Sequence, residues 1–175
     1  MTDEPHGAFV ALGANVGDPT AQLKQAARRL ATHDQVVLKD ASSLWRTSPE
    51  GLVADQPDFV NAVILLETLL SPHSLLALCH EVEEALGRDR SREVSGGPRP
   101  IDLDLLAYGD VVLDEEGLTL PHPRLAERAF VLEPLHEVAP HFVHPATGLS
   151  VGEMLSALPP GQRVERIGPL EVAVG

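Results

Sequence analysis

Apolar and polar positions recur along this chain with two periods, two and three-to-four residues. Residues 8–13 (AFVALG) form a short apolar run closed by glycine, which predicts a first strand. Asp18-Pro19 then offers a helix cap followed by the residue suited to the first helical position. Over 21–31, Leu23, Ala26, Ala27 and Leu30 share one face, as in an amphipathic helix. Residues 35–39 and 43–47 read as strand, broken or bent near Asp40. A loop with Pro49, Gly51 and Pro57 leads to 59–67 (FVNAVILLE), a strongly strand-like run. Ser71-Pro72 repeats the cap-then-proline start for a helix that turns Leu75, Leu78, Cys79, Val82, Ala85 and Leu86 inward and ends at Gly87. An arginine-rich loop runs to Pro100, and 101–108 (IDLDLLAY) is a further strand with a turn at Gly109-Asp110. Beyond it come a strand at Leu118–Leu120, a proline-rich turn and a helix around 130–138. The tail from His141 offers one short helix around 151–158 and no functional reading.

The order β-α-β-β-α-β predicts an α+β fold of the ferredoxin-like kind, with helices packed on one face of a mainly antiparallel sheet. No repeat or low-complexity linker interrupts it, so residues 1–175 read as a single domain. Apolar types make up 43% of the chain, enough for a sizeable core. No apolar run reaches the roughly eighteen residues of a membrane span, and Met1 to Pro5 lacks the basic and apolar parts of a secretory signal. Cys79 is the single cysteine, which excludes an internal disulfide and a cysteine metal cluster. It reads as a buried thiol, and a reducing cytoplasm is the simplest home. A monomer is the default for oligomeric state, on which the sequence is silent.

Charge narrows the function classes. The formal net charge of −13 argues against binding nucleic acid through a broad basic surface. Yet of thirteen Lys and Arg, six fall between Arg88 and Arg128, and all six are arginine. Guanidinium groups suit bidentate recognition of phosphate or carboxylate oxygens. A solvated loop or an anion site both fit this composition.

The sharpest local feature is Asp102-Leu103-Asp104. Residues two apart on a strand point to the same face, so the aspartates project together while Ile101, Leu103 and Leu105 face the core. Adjacent carboxylates repel, and a divalent cation removes that repulsion; oxygen-only ligands favour magnesium, which also takes substrate phosphates. The plainer reading is a half-exposed strand whose wet face carries acids. There is no GxxxxGK[ST] and no GxGxxG, so a bound nucleotide would use arginines and aspartate-held metal. Residues 13–17 (GANVG) read as a strand-to-helix turn tied by Asn15 or Asp18. His122 sits on a rigid turn between two prolines, structural in its own right or a ligand contact. Phe59 and Asn61, two apart, pair an aromatic face with an amide, which is what a flat heterocycle needs; an ordinary strand with one polar residue is the alternative. The histidine and serine placements point neither to zinc nor to a serine nucleophile.

Taken in order, these segments resemble the 6-hydroxymethyl-7,8-dihydropterin pyrophosphokinase family. The resemblance lies in ALGANVGD (11–18), LWRTSPEG (44–51), DQPDFVNAVILLET (55–68), GGPRPIDLDLLAYG (96–109) and LTLPHPRLAERAFVLEPLHEVAP (118–140). It implies the ferredoxin-like sandwich with a C-terminal elaboration, and a transfer of pyrophosphate from ATP to a reduced hydroxymethylpterin in folate biosynthesis. It implies that Asp102 and Asp104 hold two magnesium ions. Glu83, Arg88, Arg90, Arg99, Thr119, His122 and Arg128 would line the ATP site, with Arg88 and Arg99 stabilising charge on the moving phosphates. Thr47, Phe59, Asn61, Asp102 and Phe130 would form the pterin pocket. Three departures stand out: Gly96 where the family commonly has tryptophan, Ser48 for a usual proline, and a segment before Arg99 one residue longer than usual. The loop over 88–97 is expected to close over ATP. Two rival readings use the same residues. One is nucleotidyl transfer or phosphodiester cleavage on the paired aspartates; the other is a non-catalytic domain that binds a small anionic ligand.

Overall fold

In the computed structural model, which describes residues 3–49 and 55–175, the alternation of the first strand sets the frame. β1 (His6–Ala14) buries Ala8, Val10, Leu12 and Ala14 on one side and turns Phe9 and Ala11 to the other, as a pleated strand must. It runs antiparallel between β4 (Phe59–Thr68) and β5 (Asp102–Tyr108). β2 (Val36–Ala41) and β3 (Ser43–Thr47) both pair with β4 and together serve as one strand of the βαββαβ core. The register of β2 slips between Leu38 and Asp40, where the sequence places a break. All strand pairings among the described residues are antiparallel. The expected loop at Gly51 lies outside the described residues.

Both expected caps form. Asp18 accepts from the Ala21 N–H at 3.2 Å to start α1 (Pro19–Ala31), and Ser71 accepts from the Ser74 N–H at 3.2 Å to start α2 (Pro72–Ala85). Caps of this kind are worth about 1 kcal/mol each. α1 buries Leu23, Ala26, Ala27 and Leu30, as its periodicity requires, and α2 buries Leu75, Cys79 and Val82. Ala85, expected inward, is exposed, and Glu83 is buried in its place. The two flank the apolar stripe on opposite sides; the flank with Glu83 meets β5, where the Leu103 N–H donates to its carboxylate. Gly87 follows the helix at φ +98°, a left-handed turn that glycine adopts without strain.

Helices cover both faces of the sheet, not one. α1 and α2 pack on the side of Val10, Leu12, Ile64 and Leu103. On the reverse side, Val63 and Leu106 join α3 (Ala129–Val138) and α4 (Val151–Ser156) in a second apolar cluster, with Phe9 and Ala11 packed against it. Apolar side chains on the second face would otherwise meet water, which is what the C-terminal elaboration prevents. Glu137 of α3 fastens it to β3, accepting from the Ser43 hydroxyl at 2.8 Å and the Trp45 indole at 2.5 Å. A short hairpin, β6 (Leu113–Glu115) and β7 (Leu118–Leu120), follows β5. The tail contributes one strand the sequence did not announce: β8 (Val164–Pro169) pairs with β3 and ends the sheet, in the order β5-β1-β4-β3-β8.

Candidate active site

One row of the sheet carries most of the polar chemistry. Asp102 on β5, Gly13 on β1, Asn61 on β4 and Trp45 on β3 are successive register partners. Asn61 is buried and donates through Nδ2 to the Thr47 hydroxyl at 3.0 Å, which sets the plane of its amide. A Cβ built on Gly13 would lie 3.1 Å from Asn61 Oδ1, so the absent side chain leaves a notch between Asp102 and Asn61. Phe59, two residues before Asn61, and Phe130, at the second position of α3, border the same cleft of about 530 Å³. Thr47 and Asp102 complete its floor, so all five residues expected around a pterin meet there. Arg99, Arg124, Arg128 and Gly96 line its mouth.

A second cleft, of about 310 Å³, lies on the other side of the aspartate pair. Asp104, Thr119, His122 and Arg90 line it, whereas Arg99 and Arg128, also expected at ATP, border the first cleft. The clefts adjoin along β5: Asp102 borders the first and Asp104 the second. The Asp104 carboxylate accepts no hydrogen bond among the described residues, while its backbone pairs with Ala11. Burial, and then the neighbouring Asp102 charge, push its carboxyl up to about 7. Burial, then the Arg128 charge, lower His122 and so favour its neutral imidazole. Burial, then Arg124, also lower Arg128, whose guanidinium lies 5.3 Å over the Phe130 ring.

Glu83 and Arg88, both expected to line the ATP site, pair with each other and border neither cleft. Glu83 is 1% exposed and accepts from Arg88 at 2.6 Å, from Arg90 at 2.7 Å and from the Leu103 N–H at 2.8 Å. Arg88 is 8% exposed and spends the rest of its guanidinium on Asp102 at 2.8 Å and Glu93 at 2.5 and 3.0 Å. Burial alone would lower Arg88; its bonds to Glu93 and Asp102 outweigh that and raise it. It therefore stands among carboxylates, bordering neither cleft. Arg99 donates to the Val94, Gly97 and Pro98 carbonyls and lies 3.5 Å from Glu93.

The loop that carries these arginines is tied down from below. Asn15, 1% exposed, accepts from the Arg99 N–H at 2.8 Å and donates to Gln56 at 2.8 Å and the Pro57 carbonyl at 3.0 Å. Gln56 in turn donates to the Gly96 carbonyl at 2.7 Å. Of the two candidates for tying the 13–17 turn, Asn15 therefore joins three loops, while Asp18 caps α1. Arg124, His80 and Leu76 are among the cleft residues not singled out from the sequence. Arg124 lies within a quoted motif without a role; His80 and Leu76 lie three and seven residues before Glu83, near enough on a helix to share its side. Cys79 is buried, and burial, then Glu83 and Asp104, push its thiol up to about 12, which makes it inert.

The family model described as 7,8-dihydro-6-hydroxymethylpterin-pyrophosphokinase (HPPK) matches residues 9–140. The chain belongs to this family. A 2-amino-4-hydroxy-6-hydroxymethyldihydropteridine pyrophosphokinase of Methylorubrum extorquens is 44% identical over 160 residues, covering 90% of this chain and 98% of that protein. The folic acid synthesis protein fol1 of Schizosaccharomyces pombe is 40% identical over 152 residues, 87% of this chain but 20% of that longer protein. Among solved structures, the HPPK-DHPS of Plasmodium falciparum with pteroate superposes with a TM-score of 0.68 at 14% identity, over 87% of this chain and 42% of that one. That likeness concerns the fold, which is the HPPK fold. The matched span of the HPPK family includes both aspartates, both cleft phenylalanines and all six clustered arginines; the tail that forms β8 lies outside it.

Proposed function

We propose that this chain, acting as one unit over residues 1–175, transfers a pyrophosphoryl group from ATP to the hydroxymethyl group of 6-hydroxymethyl-7,8-dihydropterin. AMP is the second product, and the reaction is a cytoplasmic step of folate biosynthesis. The observation that carries this reading is the position of Asp102 and Asp104, side by side on one strand face with one cleft opening on each. The pterin ring lies between Phe59 and Phe130 with its polar edge on Asn61 and Thr47. ATP lies in the cleft of Thr119, His122 and Arg90. Its phosphates then meet the hydroxymethyl group above the aspartates.

Transfer is in line: the hydroxymethyl oxygen forms a bond to the β-phosphorus and gives up its proton to solvent, the bond to the bridging α,β-oxygen breaks, and AMP leaves with that oxygen. Such transfers need positioning and charge neutralisation more than covalent help. Asp102 and Asp104 suit two magnesium ions. They offer only carboxylate oxygens, Asp104 lacks a counter-charge in hydrogen-bond contact, and no cluster of three or more His, Cys, Asp or Glu that could hold a metal is present among the described residues. Magnesium held by Asp102 and Asp104 would supply positive charge against the developing phosphate charge. Arg99 and Arg128, at the cleft mouth, add fixed positive charge. Arg88 holds Asp102 and Glu83 in place and reaches a phosphate only by exchanging one of these partners.

The test is incubation with ATP, magnesium and the reduced hydroxymethylpterin, following AMP and the pterin diphosphate. Asp102→Ala and Asp104→Ala each lower turnover by about 100-fold or more, the usual range for a group acting on transition-state charge, while circular dichroism keeps the fold. Release of pyrophosphate in place of AMP would establish nucleotidyl transfer instead. Ligand binding without magnesium and without turnover would establish a binding domain.

A further inference from the structure

α3 begins without help from its own cap residue: the Arg128 side chain makes no capping hydrogen bond. The help comes from the C-terminal tail. The Ala129 N–H donates to Gln162 Oε1 at 2.8 Å, and Gln162 Nε2 donates to the Glu127 carbonyl at 2.9 Å. One planar amide thus grips the backbone on both sides of Arg128, in opposite hydrogen-bond senses, immediately before Phe130. Gln162 is itself held in place, because two residues later Val164 pairs with Thr47 at the start of the β8–β3 ladder. Thr47, Phe130, Gln162 and Val164 surround a small cavity of about 180 Å³ behind the ring of Phe130.

We propose that Gln162 is a positioning residue for the pterin pocket: it locks the first turn of α3 to the β3–β8 ladder and so sets the gap between Phe130 and the floor formed by Thr47 and Asn61. The inference rests on the reading of Phe130 as the ring-stacking side chain. An amide is suited to the task because it offers a donor and an acceptor in one plane. Glutamate keeps the acceptor for the Ala129 N–H, favourable at a helix start, and loses the donor; alanine loses both.

The experiment uses the full chain with ATP, magnesium and the reduced hydroxymethylpterin. Gln162→Ala raises the pterin KM by about tenfold, the effect of losing a hydrogen-bonded restraint, and leaves the ATP KM and kcat within about twofold. Exchange of the Ala129 amide proton speeds up by a similar factor. Gln162→Glu recovers part of the pterin KM and most of the Ala129 protection. A merely structural residue behaves otherwise: its loss lowers the active fraction and kcat and moves neither KM. An unchanged pterin KM, equal rises in both KM values, or Gln162→Glu no better than alanine overturns the proposal. Phe130→Ala serves as the reference. If it leaves pterin KM unchanged, the pocket assignment itself fails; if it raises pterin KM while Gln162→Ala does not, only the clamp fails.

Discussion

A methyl group at Gly13 would meet Asn61 Oδ1 at 3.1 Å, in a strand bonded on both sides, so the Asn61 amide has to give by a few tenths of an ångström. Its φ is not positive, so the backbone conformation does not require glycine; open space between Asp102 and Asn61 does. Gly13→Ala is therefore expected to leave the melting temperature almost unchanged and to weaken the reduced pterin by about tenfold, or 1.4 kcal/mol, with little change for ATP. Titration of pterin fluorescence and of ATP binding checks this, and equal weakening of both ligands refutes it. At this scale much was legible in advance. Period-two spacing alone put Asp102 with Asp104 and Phe59 with Asn61 on common faces. Arg88 was less legible: a guanidinium count shows positive charge, and only the folded chain shows that Glu83, Glu93 and Asp102 consume it.

The loop 88–99 shows what those ion pairs do for an element. Its short turn Arg90–Arg92 starts at Asp89, and its anchor is Glu93, held by Arg88. The hydrogen bond from Arg88 keeps the Glu93 carboxyl below its ordinary value of 4.5. A depressed folded-state value means stability that is present above 4.5 and lost as pH falls through the folded value. Glu93→Gln should thus lower stability at neutral pH by about 1–2 kcal/mol, and the gap to the parent protein should close in acid. Thermal melts at falling pH check it; a constant gap counts against it. Helices with Asp-Pro and Ser-Pro starts were readable from sequence because their caps are local. β6 and β8 were not. Leu113–Glu115 is three residues with two exposed acids, and Val164–Pro169 is an edge strand with Glu165, Arg166, Gly168 and Pro169 breaking any alternation.

For the whole molecule, the expected single helical layer became two because β1, β4 and β5 are apolar on both faces, and only the second cluster around Val63 and Leu106 answers that. The tail completes the arrangement by covering β3. Ending the chain before Gly161 removes the β8 ladder, the buried Leu170 and the grip on α3. Such a truncation should lower the melting temperature by about 10 °C and bare the β3 edge, so that the shortened protein self-associates. Calorimetry and light scattering measure the two effects; a truncated chain as stable and dispersed as the parent would show that β8 is dispensable.

Asp102 and Asp104 share one strand, and that strand is bonded along its length to β1. The spacing of the two carboxylates, one at each cleft, is thereby a property of the pleat, roughly 7 Å for two residues of extended chain. No rearrangement of the arginine loop can lengthen or shorten it. On the reading proposed above, the sheet alone sets how far apart the reacting groups stand.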